Sequence, residues 1–333
     1  MTRSYCLVVN PAARRGGSGR LLAEVRGVLD DAGVAHQMCA SASLEHAAEL
    51  AAAAAGRGDV VVAFGGDGMV GALAAAVAGA GGVLGIIPVG RGNDFARTLG
   101  VPLRPGDAAR VLARGRLRHV DLIGVGRTQP VGAPATRATT DEGPATSATA
   151  ADAAAGGGHE LSVAGSVYLG LPAVTAEIAK RSAFPRGEMA YPAAALRAVL
   201  GWRATTFRLE LHDGTGTREL EFDGGAAVVA NSRYFGGGMM VAPKADPGDG
   251  LLDVVYIQGS SKTAMIHALT KIKKGTHVSM NQIGTGRAHT VTVTVGRAVP
   301  GGADGELLPS ARPLEPTVPL RIRALPGALQ VVS

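Results

Sequence analysis

At 333 residues with 46% hydrophobic content, the chain exceeds one ordinary domain and can bury two substantial cores. Aromatic residues make up only 4%, which argues against an aromatic-rich binding surface and leaves alanine, glycine and valine to build an interior of helices packed on sheet. The formal charge of +6 points to an anionic partner, whether nucleotide, nucleic acid or acidic membrane, without choosing between them.

Met1-Thr2-Arg3-Ser4 leads straight into a short strand rather than a long apolar region, so no secretory signal is expected. Tyr5 to Val9 predicts that strand, which opens on Asn10-Pro11 and the arginine- and glycine-rich run Arg14-Arg15-Gly16-Gly17. The helix that follows puts Leu21, Leu22, Val25, Val28 and Leu29 on one stripe and stops near Gly33. Val34 to Cys39 predicts a second strand and Leu44 to Ala55 a second helix. The apolar run Val60 to Phe64 reads as a buried third strand ending in Gly65-Gly66-Asp67-Gly68. Met69 to Gly90 carries no charge and is long enough to cross a bilayer, yet Gly79, Gly81, Gly82 and Gly85 interrupt it and Pro88 ends it. It is read as a helix, a turn and a fourth strand, Val83 to Ile87. Alternation at this spacing predicts right-handed crossovers and a doubly wound parallel sheet, with ligand outside the carboxyl ends of its strands. Cys6 and Cys39 fall in strands without metal-ligand spacing and are expected to be buried free thiols in a reducing compartment.

After Asp121 the character changes. Residues 127–159 are rich in Ala, Thr, Gly, Pro and Ser with almost no large apolar side chain, which predicts a disordered insert between a first domain over 1–125 and a second over 160–320. Thr205 to Leu211, Arg218 to Phe222, Ala226 to Ala230, Leu251 to Ile257 and Thr290 to Val295 predict a mainly antiparallel β domain, with one helix around Ser261 to Lys273. Residues 321–333 are read as a C-terminal segment, for which a return to the first domain is an open expectation.

Two glycine-framed acidic motifs carry the chemistry: Gly65-Gly66-Asp67-Gly68, and Gly90-Arg91-Gly92-Asn93-Asp94 after the fourth strand. Glycines let the backbone approach an anion, helix-entrance N–H groups hold phosphate oxygens, and Asp67 is placed to reach magnesium or a substrate hydroxyl. Arg15 and Arg91 offer positive charge to phosphates. In the second half, Asp246-Pro247-Gly248-Asp249-Gly250-Leu251 is a tight turn that suits either a hard cation or plain Asx turns. Asp304-Gly305-Glu306 is an acidic hairpin tip, a position that is ordinarily solvated surface.

In order and rough spacing, Asn10-Pro11, Gly65 to Gly68, Gly92-Asn93-Asp94-Phe95-Ala96-Arg97, the Asp246 to Leu251 turn and Asp304-Gly305-Glu306 together resemble the diacylglycerol kinase catalytic family, which includes bacterial lipid kinases and sphingosine kinases. The resemblance implies a kinase that takes ATP and magnesium in an interdomain cleft and phosphorylates a lipid hydroxyl, most simply diacylglycerol. It implies Asp67, Asp94 and Glu306 as the catalytic carboxylates, with Asp67 as base. Asn10, Gly65, Gly66, Gly68 and Asn93 fall at nucleotide positions, and Asp246, Asp249 and Leu251 at a structural magnesium turn. The partners expected are ATP and a lipid at the membrane surface, with no nucleic acid and a homodimer left open, and the place of action is cytoplasmic and peripheral to the membrane. Met69 stands where Thr is common, Gly71-Ala72 replaces a polar Asn-Glu pair, Arg91 replaces Thr or Ser, and Pro172 takes an often acidic position. An NAD kinase-like enzyme shares the first motif, and a non-catalytic nucleotide- or lipid-binding relative would accommodate the departures.

Overall fold

The computed structural model describes residues 4–10, 18–127, 160–181, 190–308, 314, 316 and 318–333. Arg15 and nearly all of the predicted insert lie outside the described residues.

The N-terminal unit alternates β1 (Tyr5–Val9), α1 (Ser18–Asp31), β2 (His36–Ala40), α2 (Leu44–Gly56), β3 (Val60–Gly65), α3 (Asp67–Gly79) and β4 (Val83–Pro88). The central strands are apolar at every position because both faces of the sheet are covered, α1 meeting α5 (Pro105–Arg114) and α2 meeting α3. The pairs are parallel in the order β2-β1-β3-β4, a doubly wound arrangement whose switch point falls between β1 and β3. The register aligns Val9 with Phe64 and Gly65 with Pro88, so the strands end level and their loops open on one edge. The five-residue α4 (Asp94–Thr98) starts at that edge.

β5 (Leu117–Arg127) leads out of this unit into β6 (Leu161–Val163), β7 (Ser166–Gly170), α6 (Leu171–Arg181) and α7 (Ala190–Gly201). There follow β8 (Thr205–His212), β9 (Thr217–Ala230), the short pair β10 (Tyr234–Phe235) and β11 (Met239–Met240), then β12 (Leu252–Gln258) and α8 (Lys262–Lys271). The chain closes with β13 (Ile283–Ala288), β14 (Thr290–Val295), β15 (Gly301–Ala303), β16 (Glu306–Leu307) and β17 (Leu320–Val332). Antiparallel pairing of β7, β9, β8 and β14, extended from β9 through β12 to β13, makes the second unit mainly β. Its core includes the stack Phe207–Phe222–Tyr256, with centroid spacings of 5.5 and 4.7 Å.

β5 and β17 form an antiparallel ribbon that joins the two units. Near its start β17 pairs with β14, and near its end Gln330 and Val331 pair parallel with Val83 and Leu84 of β4. Three features depart from the sequence reading. Cys6 and Cys39, on the neighbouring strands β1 and β2 with their Cα atoms 6.4 Å apart, are joined as a disulfide and are not free thiols. The second unit also carries α6 and α7, two helices hidden by a Leu-Pro start and an alanine-rich, Pro192-bearing sequence. Finally, Asp304 at the β15–β16 hairpin is half-buried and held by three backbone N–H groups rather than solvated.

Candidate active site

The two predicted motifs meet at the carboxyl edge of the sheet. Asp67 is the first residue of α3, but its side chain serves α4: one carboxylate oxygen accepts the Asn93 N–H at 2.8 Å and the other the Asp94 N–H at 2.6 Å. Asn93 occupies the left-handed region (φ 53°), held there by exchange with Gly90, whose N–H it accepts at 2.9 Å and whose carbonyl it donates to at 3.1 Å. The glycines serve close packing within the protein as well as any approach to an anion. A Cβ at Gly90 would stand 2.5 Å from the Gly66 Cα, and one at Gly92 would stand 2.6 Å from an Asp67 carboxylate oxygen. Gly65 is overlain by Met69, so the apolar residue where Thr is common packs on the loop. At Gly68, in the first turn of α3, a Cβ would meet only Leu44, at 3.9 Å.

Asp94 reaches across to the second unit. Its two carboxylate oxygens accept the N–H groups of Gly237 at 2.9 Å and Gly238 at 2.6 Å. Gly236, Gly237 and Gly238 all have positive φ (74°, 90° and 84°), a run that only glycine adopts without strain. Thr98 and Ser232 hydroxyls meet at 2.6 Å and add a second tie between the units. The Asp67 carboxyl is pushed up to about 6, first by burial and then by the neighbouring Asp94 charge, against the pull of its N–H partners.

These contacts line a cavity of about 910 Å³, large enough for a nucleotide. Asp67, Asp94, Arg91 and the Gly90–Gly92 backbone lie on one side, Gly236, Gly237, Lys180 and Lys273 on the other. A second, apolar pocket of about 80 Å³ adjoins it, bounded by Leu171, Val199, Val228 and Met265. Tyr191, Phe235 and Met239 line both.

A diacylglycerol kinase from Mycobacterium tuberculosis is 35% identical over 287 residues, covering 85% of this chain and 79% of that protein. Residues 4–125 match the diacylglycerol kinase catalytic domain, and residues 165–333 match the YegS C-terminal NAD kinase beta sandwich-like domain. The chain belongs to the diacylglycerol kinase-like lipid kinase family. With that membership comes the class of enzyme, a kinase phosphotransferase. A Bacillus subtilis diacylglycerol kinase is 24% identical over 90% of this chain and 88% of its own. The crystal structure of a diacylglycerol kinase from Bacillus anthracis shares the fold, with a TM-score of 0.68 at 17% identity over 99% of this chain and 96% of that one.

Within this family fold, the structure gathers Asp67, Asp94, Arg91 and Asn93 at one edge. Asn10 follows the end of β1 beside them. Glu306 stands apart on β16, exposed and ion-paired with Lys180. Its neighbour Asp304 lines the cavity and is half-buried, accepting the N–H groups of Ala164 at 2.8 Å and of Gly165 and Ser166 at 2.7 and 3.1 Å, with its carboxyl raised by desolvation against the pull of those N–H groups. A Cβ at Gly71 would lie 3.1 Å from the Asp304 carboxylate, so the small residue in place of Asn makes room for this acid. Pro172 is the second residue of α6 and lines the apolar pocket.

The Asp246 to Leu251 turn lies elsewhere. Asp246 accepts the Gly248 N–H at 3.1 Å and Asp249 the Leu251 N–H at 3.0 Å, two Asx turns, while Arg287 pairs with Asp249. No cluster of three His, Cys, Asp or Glu suited to a metal occurs among the described residues. The turn is anchored by buried Asp121, which accepts the N–H groups of Gly250 at 2.7 Å and Gly327 at 2.8 Å. Sequence reasoning missed Asp121 and the Gly236–Gly238 partner of Asp94. The run of three glycines was the signal for the latter, whereas a lone Asp in a strand gave none.

Proposed function

We propose that this protein transfers the γ-phosphoryl group of ATP to a lipid hydroxyl, with diacylglycerol the leading acceptor and phosphatidic acid the product. The observation that carries the reading is the adjacency of two unlike pockets: a polar cleft of carboxylates and basic side chains, sharing Tyr191, Phe235 and Met239 as lining with an apolar pocket. Phosphate chemistry needs the first, and the second offers an apolar lining to a short part of an acyl chain.

Asp67 is the base. Raised to about 6, its carboxyl is ionised at neutral pH yet more basic than an ordinary aspartate, and it accepts the proton of the lipid hydroxyl as that oxygen attacks the γ-phosphorus. The bond from phosphorus to the β–γ bridging oxygen breaks, and ADP leaves with that electron pair. Alignment and charge neutralisation supply most of the acceleration. The residues fit magnesium, which would spread the charge of the transferring group: Asp67 and Asp94 each keep acceptor capacity beyond one N–H per oxygen. Glu306 would join them from the rim, directly or through water, if Lys180 released it to pair with phosphate. Asn10, the Gly65, Gly66 and Gly68 backbone, Arg91 and Asn93 hold the nucleotide. The enzyme works at the cytoplasmic membrane surface, where the acceptor resides.

Labelled ATP incubated with diacylglycerol in mixed micelles, and in parallel with NAD, tests the reading. Magnesium-dependent label in phosphatidic acid is the expected result. Label in NAD alone would replace it with a soluble NAD kinase activity.

A further inference from the structure

No helix among the described residues is long and apolar enough to cross a membrane, so how the acceptor leaves the bilayer is a matter for the surface. One helix stands out. The inner face of α7 buries Ala194, Ala195, Ala198 and Val199, and Tyr191, Ala195 and Val199 line the apolar pocket. Its outer face carries Leu196 and Leu200, one turn apart and 44% and 57% exposed, the two most exposed leucines among the described residues. Single exposed leucines are ordinary, but two on one stripe, on the helix that walls the pocket, are not accounted for by the fold.

The charge on α7 and α8 has one sign, while α6, which also packs against α7, carries one acid, Glu177, paired with Arg181. Residues 190–203 contain Arg197 and Arg203 and no acidic residue, and α8, which packs against α7, is likewise free of Asp and Glu. Lys262 at the start of α8 donates to the Leu200 carbonyl, and Arg297 lies over Trp202, 5.0 Å from its ring centroid, while donating to the Arg203 carbonyl. Lys262 and Arg297 are therefore held at the end of α7 that contains Leu200, and Arg197 and Arg203 are exposed on and just after the helix.

We propose that the outer face of α7, with Leu196, Leu200, Arg197, Arg203, Lys262 and Arg297, docks the protein on an anionic lipid bilayer. Leucines inserted at the headgroup boundary and cations held above it are the two terms that bind an interfacial helix, and neither suffices alone. A second copy of the chain is the poorer occupant, because pairing this face with itself would set like charges against each other. The proposal rests on the lipid-kinase reading only in its purpose: docking by α7 sets the pocket wall on the membrane from which the acceptor comes.

Sedimentation with vesicles tests it directly, using the full chain, phosphatidylcholine vesicles with and without phosphatidylserine, and two double variants. Wild type is expected to bind the phosphatidylserine vesicles preferentially. Leu196→Asp with Leu200→Asp should lower that partitioning by on the order of tenfold or more. Arg197→Glu with Arg203→Glu should lower it by about fivefold or more per residue while leaving the melting curve unchanged. Turnover of a water-soluble short-chain diacylglycerol without vesicles should be the same in all three proteins. Equal vesicle binding by wild type and both variants, no binding by wild type, or a change in oligomeric mass with vesicle binding intact overturns the proposal. Loss of vesicle binding in the variants while no protein phosphorylates the short-chain lipid would uphold docking and reject the lipid-kinase reading.

Discussion

Asp67 and Asp94 each bind two backbone N–H groups, and together they chain the first glycine loop to the second and the second to the facing unit. Replacing Asp67 by Asn keeps volume and one acceptor but neither charge nor proton affinity. Turnover should fall by roughly 10²- to 10⁴-fold in a protein that still folds. Because the wild-type carboxyl is raised to about 6, it is protonated and idle as a base below that pH, so kcat/KM should climb through about pH 6 and level off above. The sign for stability is the opposite: the folded form binds the proton more tightly than the unfolded chain, so this group's contribution to stability falls as pH rises from about 4 to about 6. A flat kcat/KM profile across that window would assign the base elsewhere, with Glu306 next in line. A Cβ at Gly237 would touch nothing within 4 Å, so Gly237→Ala reports backbone strain alone at φ 90°, expected to cost about 1–2 kcal/mol and to raise KM for ATP. At this scale the acids of both motifs were legible because each lies in a glycine-framed loop that follows a strand. Their partners were not, since Asp94 and Gly237 are 143 residues apart and nothing local announces the bond.

The alternating β/α elements of the first unit were legible from unbroken apolar strands and amphipathic helices, whereas α6 and α7 were not. The α6 helix opens on Pro172, which reads as a breaker but is tolerated in a first turn, and α7 is alanine-rich with little periodicity. The Asp246 to Leu251 turn shows why a motif underdetermines a site: it is closed by two Asx turns, Asp121 and Arg287, with protein groups where a cation was expected. Magnesium there is proposed only in exchange for Arg287. Melting scans should therefore show a small magnesium-dependent rise for wild type, a larger one for Arg287→Ala, and none for Asp249→Ala. The same shift in all three would leave the turn metal-free. On composition alone, deletion of residues 130–157 with a short flexible linker should leave melting temperature and turnover largely unchanged, since loop shortening alters closure entropy slowly. A collapse of the melting temperature would contradict that.

As a whole molecule, the chain is two units joined by the β5–β17 ribbon, with the reactive edge of the first facing the glycine turn of the second. The disulfide between Cys6 and Cys39 closes a loop across the switch-point sheet at a sequence separation of 33. In the chain-entropy account it contributes about 3–4 kcal/mol. Denaturation by urea with and without reductant should reveal that difference, and coincident curves in the two conditions would mean the thiols are free. The two-unit architecture was foreseen from the break in composition after Asp121, but not the depth of its joining, which depends on pairings between strands about 200 residues apart such as His119 with Gln330. The central claim is that the polar cleft and the apolar pocket act as one site on a lipid. Its most direct test is phosphoryl transfer from labelled ATP to diacylglycerol in mixed micelles, wild type beside Asp67→Asn. Magnesium-dependent labelled phosphatidic acid from wild type, nearly absent with the variant, is the predicted result. Equal labelling by both proteins, or no lipid product from a correctly folded wild type that labels NAD, would contradict it.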